Sequence, residues 1–85
     1  MNTIFKYEFP ITDRFSLDLP TDARILTAFI QNGKPCLCAE VDTNRQLSSR
    51  RFAVIGTGLP RPDGCSWVVT FPDPPFIWHL YKEAE

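Results

Sequence analysis

The residues of this chain that could do chemistry are few and scattered. Cys36 and Cys38 are separated by one residue, Cys65 stands apart, and His79 is the single histidine. Together they could form a Cys3His zinc site, because zinc takes nitrogen and sulfur ligands in a tetrahedron. Structural zinc sites, however, present cysteine pairs about two to four residues apart on turns. Here Cys36-Leu37-Cys38 falls in a strand pattern, and His79 lies between Trp78 and Leu80 in another. The expectation is three small thiols in or near the core and one imidazole on a sheet face, with no metal and no cofactor.

Catalysis by a nucleophile asks for a base within reach and a group that orients the base. His79 could serve any of the three cysteines as that base, but no spacing or nucleophile-elbow motif joins them. Gly56-Thr57-Gly58 follows a strand, as a phosphate-cradling turn would. The third glycine of that pattern is replaced by Arg61, and Pro60 and Pro62 exclude the helix that would hold a pyrophosphate. Seven Asp and Glu residues that might pair as acid and base (Glu8, Asp18, Asp22, Glu40, Asp42, Asp63, Asp73) each sit on a turn or a solvated face. The chain is expected not to be an enzyme.

Binding residues are easier to nominate. Arg45, Arg50 and Arg51 fall within seven residues, and Arg61 lies in a later turn that could approach them. The planar guanidinium fork suits phosphates and carboxylates. Aromatic rings supply a second surface. Phe5, Tyr7 and Phe9 share one face of the first strand, Trp67, Val69 and Phe71 one face of another, and Phe76, Trp78 and Leu80 one face of the last, opposite Ile77, His79 and Tyr81. The candidate binding set is Arg45, Arg50, Arg51, Arg61, Tyr7, Trp78 and His79.

The elements that position these groups read as strands. Thr3–Phe9 alternates with period two, Pro10 ends it, and Phe15–Leu19 alternates apolar with Ser16 and Asp18, so the two read as a first hairpin. Arg24–Ile30 is apolar on both faces and is followed by Asn32-Gly33, the strongest short hairpin signal, and by Cys36–Val41 as its returning partner. Asp42–Arg50 is polar and without period, and reads as the longest exposed loop. Phe52–Ile55, Trp67–Phe71 and Phe76–Tyr81 are further strands, and the prolines between the last two mark a turn at a sheet edge. The tail Lys82–Glu85 is expected to fray.

With 85 residues the chain makes one domain, residues 1–85, with one core. About six to seven short strands spaced by turn signals give an all-β fold, a compact antiparallel sandwich or small barrel. A net charge of −1 argues against sequence-blind binding to nucleic acid or anionic membranes. No apolar run spans a bilayer, and no secretory signal is visible. Unpaired thiols fit a reducing, cytoplasmic compartment.

Thr3-Ile4-Phe5-Lys6-Tyr7, Ile11-Thr12-Asp13, Gln31-Asn32-Gly33-Lys34-Pro35-Cys36-Leu37, Arg51-Phe52, Gly56-Thr57-Gly58, Thr70-Phe71 and Pro75-Phe76-Ile77-Trp78-His79 resemble, in this order and along the whole chain, a family of small uncharacterised phage and prophage proteins. That family is a domain of unknown function. The resemblance implies a phage or prophage origin and a product of the bacterial host cytoplasm, and it implies no activity. Cys38 stands where the family's pattern leads one to expect a large aromatic such as Trp, so no role is carried onto it.

These features converge on an accessory protein that binds a host protein, an interaction or inhibitor module with counter-defence as one use. Strands apolar on both faces exceed what one small core needs, which points to a protein partner or a homodimer. The alternative is a sequestering protein for a nucleotide or other phosphate-bearing signalling molecule, held by arginines and stacked on an aromatic ring.

Overall fold

The computed structural model describes residues 1–84. Seven antiparallel strands, and no helix among the described residues, form two facing sheets. They are β1 (Asn2–Glu8), β2 (Phe15–Pro20), β3 (Arg24–Gln31), β4 (Lys34–Asp42), β5 (Leu47–Gly56), β6 (Cys65–Asp73) and β7 (Phe76–Glu83). One sheet has three strands in the order β1-β4-β3, the other four in the order β2-β5-β7-β6. The all-β reading holds, and the architecture is a sandwich rather than a closed barrel. No helix of the described residues is long and apolar enough to cross a membrane.

Local chemistry explains the two tight hairpins. Asn32 and Gly33 take φ values of 53° and 76° between β3 and β4, the double left-handed turn that Asn-Gly tolerates best. Pro74-Pro75 joins β6 to β7, and β6 is an edge strand, where missing N–H donors cost nothing in the ladder.

The expected first hairpin does not form. β1 pairs with β4 (Thr3↔Val41) and β2 with β5 (Phe15↔Phe52), so the two strands lie in opposite sheets. The reason is burial. Both strands carry an apolar face, and facing sheets let Phe9 and Phe15 turn those faces toward each other, with rings stacked at 5.2 Å. The expected loop at 42–50 shrinks to residues 43–46, because β5 already begins at Leu47 to pair with β2 through Pro20↔Leu47 and Leu19↔Ser48. Periodicity missed this stretch because it is a strand end whose residues are mostly exposed. Lys82 and Glu83 belong to β7, and the Ala84 N–H donates to the Gly64 carbonyl at 3.1 Å; only Glu85 of the tail lies outside the described residues.

A third difference matters most for function. Trp67 pairs with Tyr81 and Val69 with Leu80, so Val68 is an extra residue that bulges β6. A one-residue insertion exchanges faces along a strand of period two. Phe71 is therefore buried (1% exposed), whereas Trp67 turns outward at 59% exposed. The expected Trp67–Val69–Phe71 face keeps Val69 and Phe71 on the core side and loses Trp67 to the other.

The core is apolar, with no buried polar or charged residue among those described. Its centre is a column of rings. Phe9 stacks on Phe15, Phe15 stacks on Phe52 at 5.3 Å, and Phe71 meets Phe9 edge-on at 5.9 Å. Leu19, Leu37, Val41 and Leu80 close around it. Truncating Phe9 removes the ring shared by both sheets. Urea unfolding of Phe9→Ala is expected to show a loss of about 3–5 kcal/mol, a large share of the ~5–15 kcal/mol of a typical domain. A loss below about 1 kcal/mol would mean that the sheets are held together elsewhere.

Candidate functional site

The outward face of the four-stranded sheet is built by parity. β5 contributes Ile55, β7 contributes Ile77, His79 and Tyr81, and the bulged β6 contributes Trp67 and Thr70. The register sets Ile55, His79 and Thr70 in one row and Tyr81 and Trp67 in the next. Side chains in the row are tied together. Trp67 Nε1–H donates to Thr70 Oγ1 at 3.0 Å. Thr70 Oγ1 lies 2.8 Å from His79 Nδ1, and His79 Nε2 lies 2.8 Å from Thr57 Oγ1.

The direction of this chain is set from its two ends. An indole N–H can only donate, so Thr70 Oγ1 accepts from Trp67, and Thr57, which donates to the Ile77 carbonyl, accepts from His79 Nε2–H, which leaves Nδ1 to take the Thr70 proton. In the neutral ring the proton then sits on Nε2 and is donated to Thr57, whose hydroxyl is left to face the Ile77 carbonyl at 3.5 Å. Each group accepts from one neighbour and donates to the next. A hydroxyl on an imidazole is also the geometry of a nucleophile with its base. Here both ring nitrogens are occupied by hydroxyls, and Thr70 already carries the indole N–H. The arrangement holds the ring and the indole in place.

Beside His79 is a hollow of about 200 Å³. Its floor is Ile55, His79 and Tyr81, and its rim is the turn Gly56-Thr57-Gly58-Leu59 with Arg61. Gly58 takes φ 96°, which a side chain rarely adopts, and that turn leaves Leu59 63% exposed. The face therefore combines Trp67, Ile77 (44% exposed) and Leu59 with the cationic Arg61.

A family model described as a domain of unknown function (DUF7352) matches residues 1–85. The chain belongs to that family. No curated protein and no solved structure matches it.

For this DUF7352 chain the structure disperses the set nominated from sequence. Arg45 pairs with Asp22 at 2.8 Å and lies 3.8 Å from Asp42. Both terminal nitrogens of Arg50 donate to the Ala23 carbonyl, at 2.8 and 2.9 Å. Arg51, on the opposite face of β5, approaches Glu83 at 3.7 Å. Arg61 makes no ion pair among the described residues and sits with His79 at the hollow. The expected cluster of Arg45, Arg50, Arg51 and Arg61 is thus divided, because consecutive strand residues point apart and Arg45 and Arg51 are drawn to different carboxylates. Trp78 lies half-buried under the sheet, stacked on Phe76 at 5.3 Å and donating to Asp73 at 3.0 Å. Tyr7 belongs to the other sheet, edge-on to Phe5 at 6.5 Å, and burial pushes its phenol pKa up. Of the nominated residues, His79 and Arg61 come together. Thr57, Thr70 and Tyr81 join them, and nothing in their spacing announced it without knowledge of the bulge.

The four possible metal ligands are not assembled. Cys36 and Cys38 lie on β4, Cys65 and His79 in the opposite sheet, and no group of three or more His, Cys, Asp or Glu among the described residues is placed to hold a metal. The three thiols are unpaired, and Arg14 donates to Cys65 Sγ at 3.2 Å. A second hollow, about 570 Å³, opens where β3 nears β6 and is lined by Arg24, Arg50, Lys82, Asp22 and Glu83 together with Trp67. Its carboxylates are already engaged, Asp22 by Arg45 and Glu83 by Arg14 and Arg51.

Two measurements check these assignments. Nitrogen-15 spectra of His79 at neutral pH are expected to show the Nε2–H tautomer, and Thr70→Val is expected to erase that preference and speed exchange of the Trp67 indole proton. An Nδ1–H ring in the unmodified protein would reverse the direction of the chain. Asp42 is held below the ordinary carboxylate value by the Asn44 backbone N–H (3.0 Å) and then by the terminal ammonium (3.2 Å). A depressed folded value stabilises above the ordinary 3.8 and is lost as pH falls through the folded one. Asp42→Asn should therefore differ from the parent at neutral pH and converge with it in strong acid, in thermal melts followed across pH.

Proposed function

We propose that this chain is a non-enzymatic binding module that docks on a host protein through the outward face of β5, β7 and β6. The single observation that carries the reading is Trp67. A large ring exposed over more than half its surface is turned out by a bulge and pinned by a hydrogen bond. Interfaces draw their energy from a few aromatic and arginine anchors at a water-excluding centre, and Trp67, Tyr81 and Arg61 are residues of those kinds. Arg61 and the surplus of Arg14 and Arg51 over Glu83 give the face a positive edge, so the partner surface is apolar with acidic flanks. The resemblance to small phage and prophage proteins directs the search to bacterial proteins, with counter-defence as the use such a module would have. The unpaired thiols suit a cytoplasmic setting.

A second reading is favoured by the hollow itself, where Arg61 and His79 flank the Tyr81 ring. A small phosphate-bearing ligand or nucleotide could place its phosphate against the guanidinium and its base on the ring.

Each reading is tested with its own variant. Capture from bacterial lysate is expected to enrich one acidic-surfaced protein, and Trp67→Ala is expected to weaken its binding at least about thirtyfold, as loss of a hot-spot aromatic does. Equal capture by the parent and Trp67→Ala would sink the protein-binding reading. Nucleotides that raise the melting temperature of the parent but not of Arg61→Ala would favour the second.

A further inference from the structure

β1 and β3 border the three-stranded sheet, and β2 and β6 the four-stranded one. A border strand offers a row of unpaired N–H and C=O groups to any passing strand, and proteins blunt such edges with proline, bulges, short length or cover. Three of these edges are blunted. β3 and β6 approach each other, each is broken by a bulge (at Leu26 and at Val68), and β6 contains Pro72. β2 is the shortest strand and ends in Pro20. β1 has none of these features. It runs seven residues against β4 without a register break or a proline, with Ile4 59% and Phe5 45% exposed.

Backbone parity identifies the groups on the open side. The Thr43 N–H donates to the Met1 carbonyl and the Phe9 N–H to the Pro35 carbonyl, both at 3.0 Å and both in the register of Thr3↔Val41. Odd-numbered residues of β1 therefore bond to β4. Asn2, Ile4, Lys6 and Glu8 turn their N–H and C=O groups to the free edge.

We propose that the Lys6–Glu8 end of this edge pairs antiparallel with the same segment of a second copy of the chain, about a two-fold axis at Tyr7, joining the two three-stranded sheets edge to edge. The occupant is a second copy because the strand is complementary to itself. Pairing about Tyr7 sets Lys6 opposite Glu8 of the other copy, and Glu8 opposite its Lys6. All four residues have outward-facing backbone groups, so each pair exchanges two backbone hydrogen bonds and joins opposite charges. Pairing about Lys6 would instead set two ammonium groups face to face, which opposes association. In the single chain, Lys6 reaches Gln31 and Glu8 is 3.9 Å from Lys34, contacts between exposed groups that yield readily to a closer partner. Phe5 and Tyr7, on the opposite side of the strand, gain cover where the copies meet. This interface is separate from the face carrying Trp67, so either can fail without the other.

Sedimentation equilibrium of the full chain from micromolar to millimolar concentration tests the proposal. The expected result is a reversible rise from 9.7 kDa to twice that mass. Lys6→Glu places like charges at both symmetric pairs and is expected to weaken association by about tenfold. Lys6→Glu combined with Glu8→Lys is expected to restore it. Lys6→Pro removes an N–H that β4 does not use, and is expected to abolish association while circular dichroism retains its strand signal. A mass of 9.7 kDa at every concentration would overturn the proposal, as would association that Lys6→Glu leaves unchanged.

Discussion

The column formed by Phe71, Phe9, Phe15 and Phe52 is the contact on which the remaining structure depends. Phe9 sits just past β1, where the chain leaves one sheet for the other, and its ring touches rings from β2 and β6. It thereby joins the three-stranded sheet to both borders of the four-stranded one. A chain of this length buries only about 60–65% of its unfolded surface, so few large contacts can share that task. Ring on ring suits it, since stacked and edge-on pairs add about 0.5–1.5 kcal/mol beyond their burial. The outward face inherits this constraint. Phe71 must point inward to meet Phe9, and the bulge at Val68 then decides that Trp67 points out.

Much of the fold was legible because its signals are local. Asn32-Gly33 demanded a left-handed turn, Pro74-Pro75 demanded an edge, and alternation along Phe15–Leu19 demanded a half-buried strand. Pairing was less legible. β1 and β2 are both amphipathic and adjacent, and nothing in their residues distinguishes partners in one sheet from opponents across a core. Leu47–Arg50 and Lys82–Glu83 were illegible for another reason: their strands are held by ladder bonds at the sheet end, where burial leaves no pattern. The candidate site was hidden by parity. Read with an unbroken period of two, Trp67 belongs with Phe71, and only the inserted Val68 transfers it to the outward face of Thr70 and His79.

The hydrogen-bonded row explains how an exposed indole can be useful rather than merely tolerated. A free tryptophan side chain loses rotamer freedom when a partner immobilises it, about 0.5–1.5 kcal/mol per ordered side chain. Trp67 is fixed before any encounter by Thr70, which is fixed by His79, which is fixed by Thr57 on the neighbouring turn. The same turn shapes the hollow and carries Leu59 and Arg61. Preorganisation of the ring and of the rim beside it thus has a single structural origin.

Charge completes the argument about what kind of surface this is. Arg24 and Arg45 each face a carboxylate of their own, and Arg14 and Arg51 share Glu83, at separations of 2.8 to 3.7 Å. Such exposed pairs contribute only about 0–1 kcal/mol to stability. Their larger effect is on the field: cations neutralised at home cannot steer a distant polyanion, and the chain's net charge of −1 leaves no excess to do so. On the proposed reading, association through the outward face would rest on short-range burial of Trp67, Ile77 and Leu59, with Arg61 orienting the partner once contact is made. That division of labour accounts for why the apolar groups are exposed where the arginines are spent.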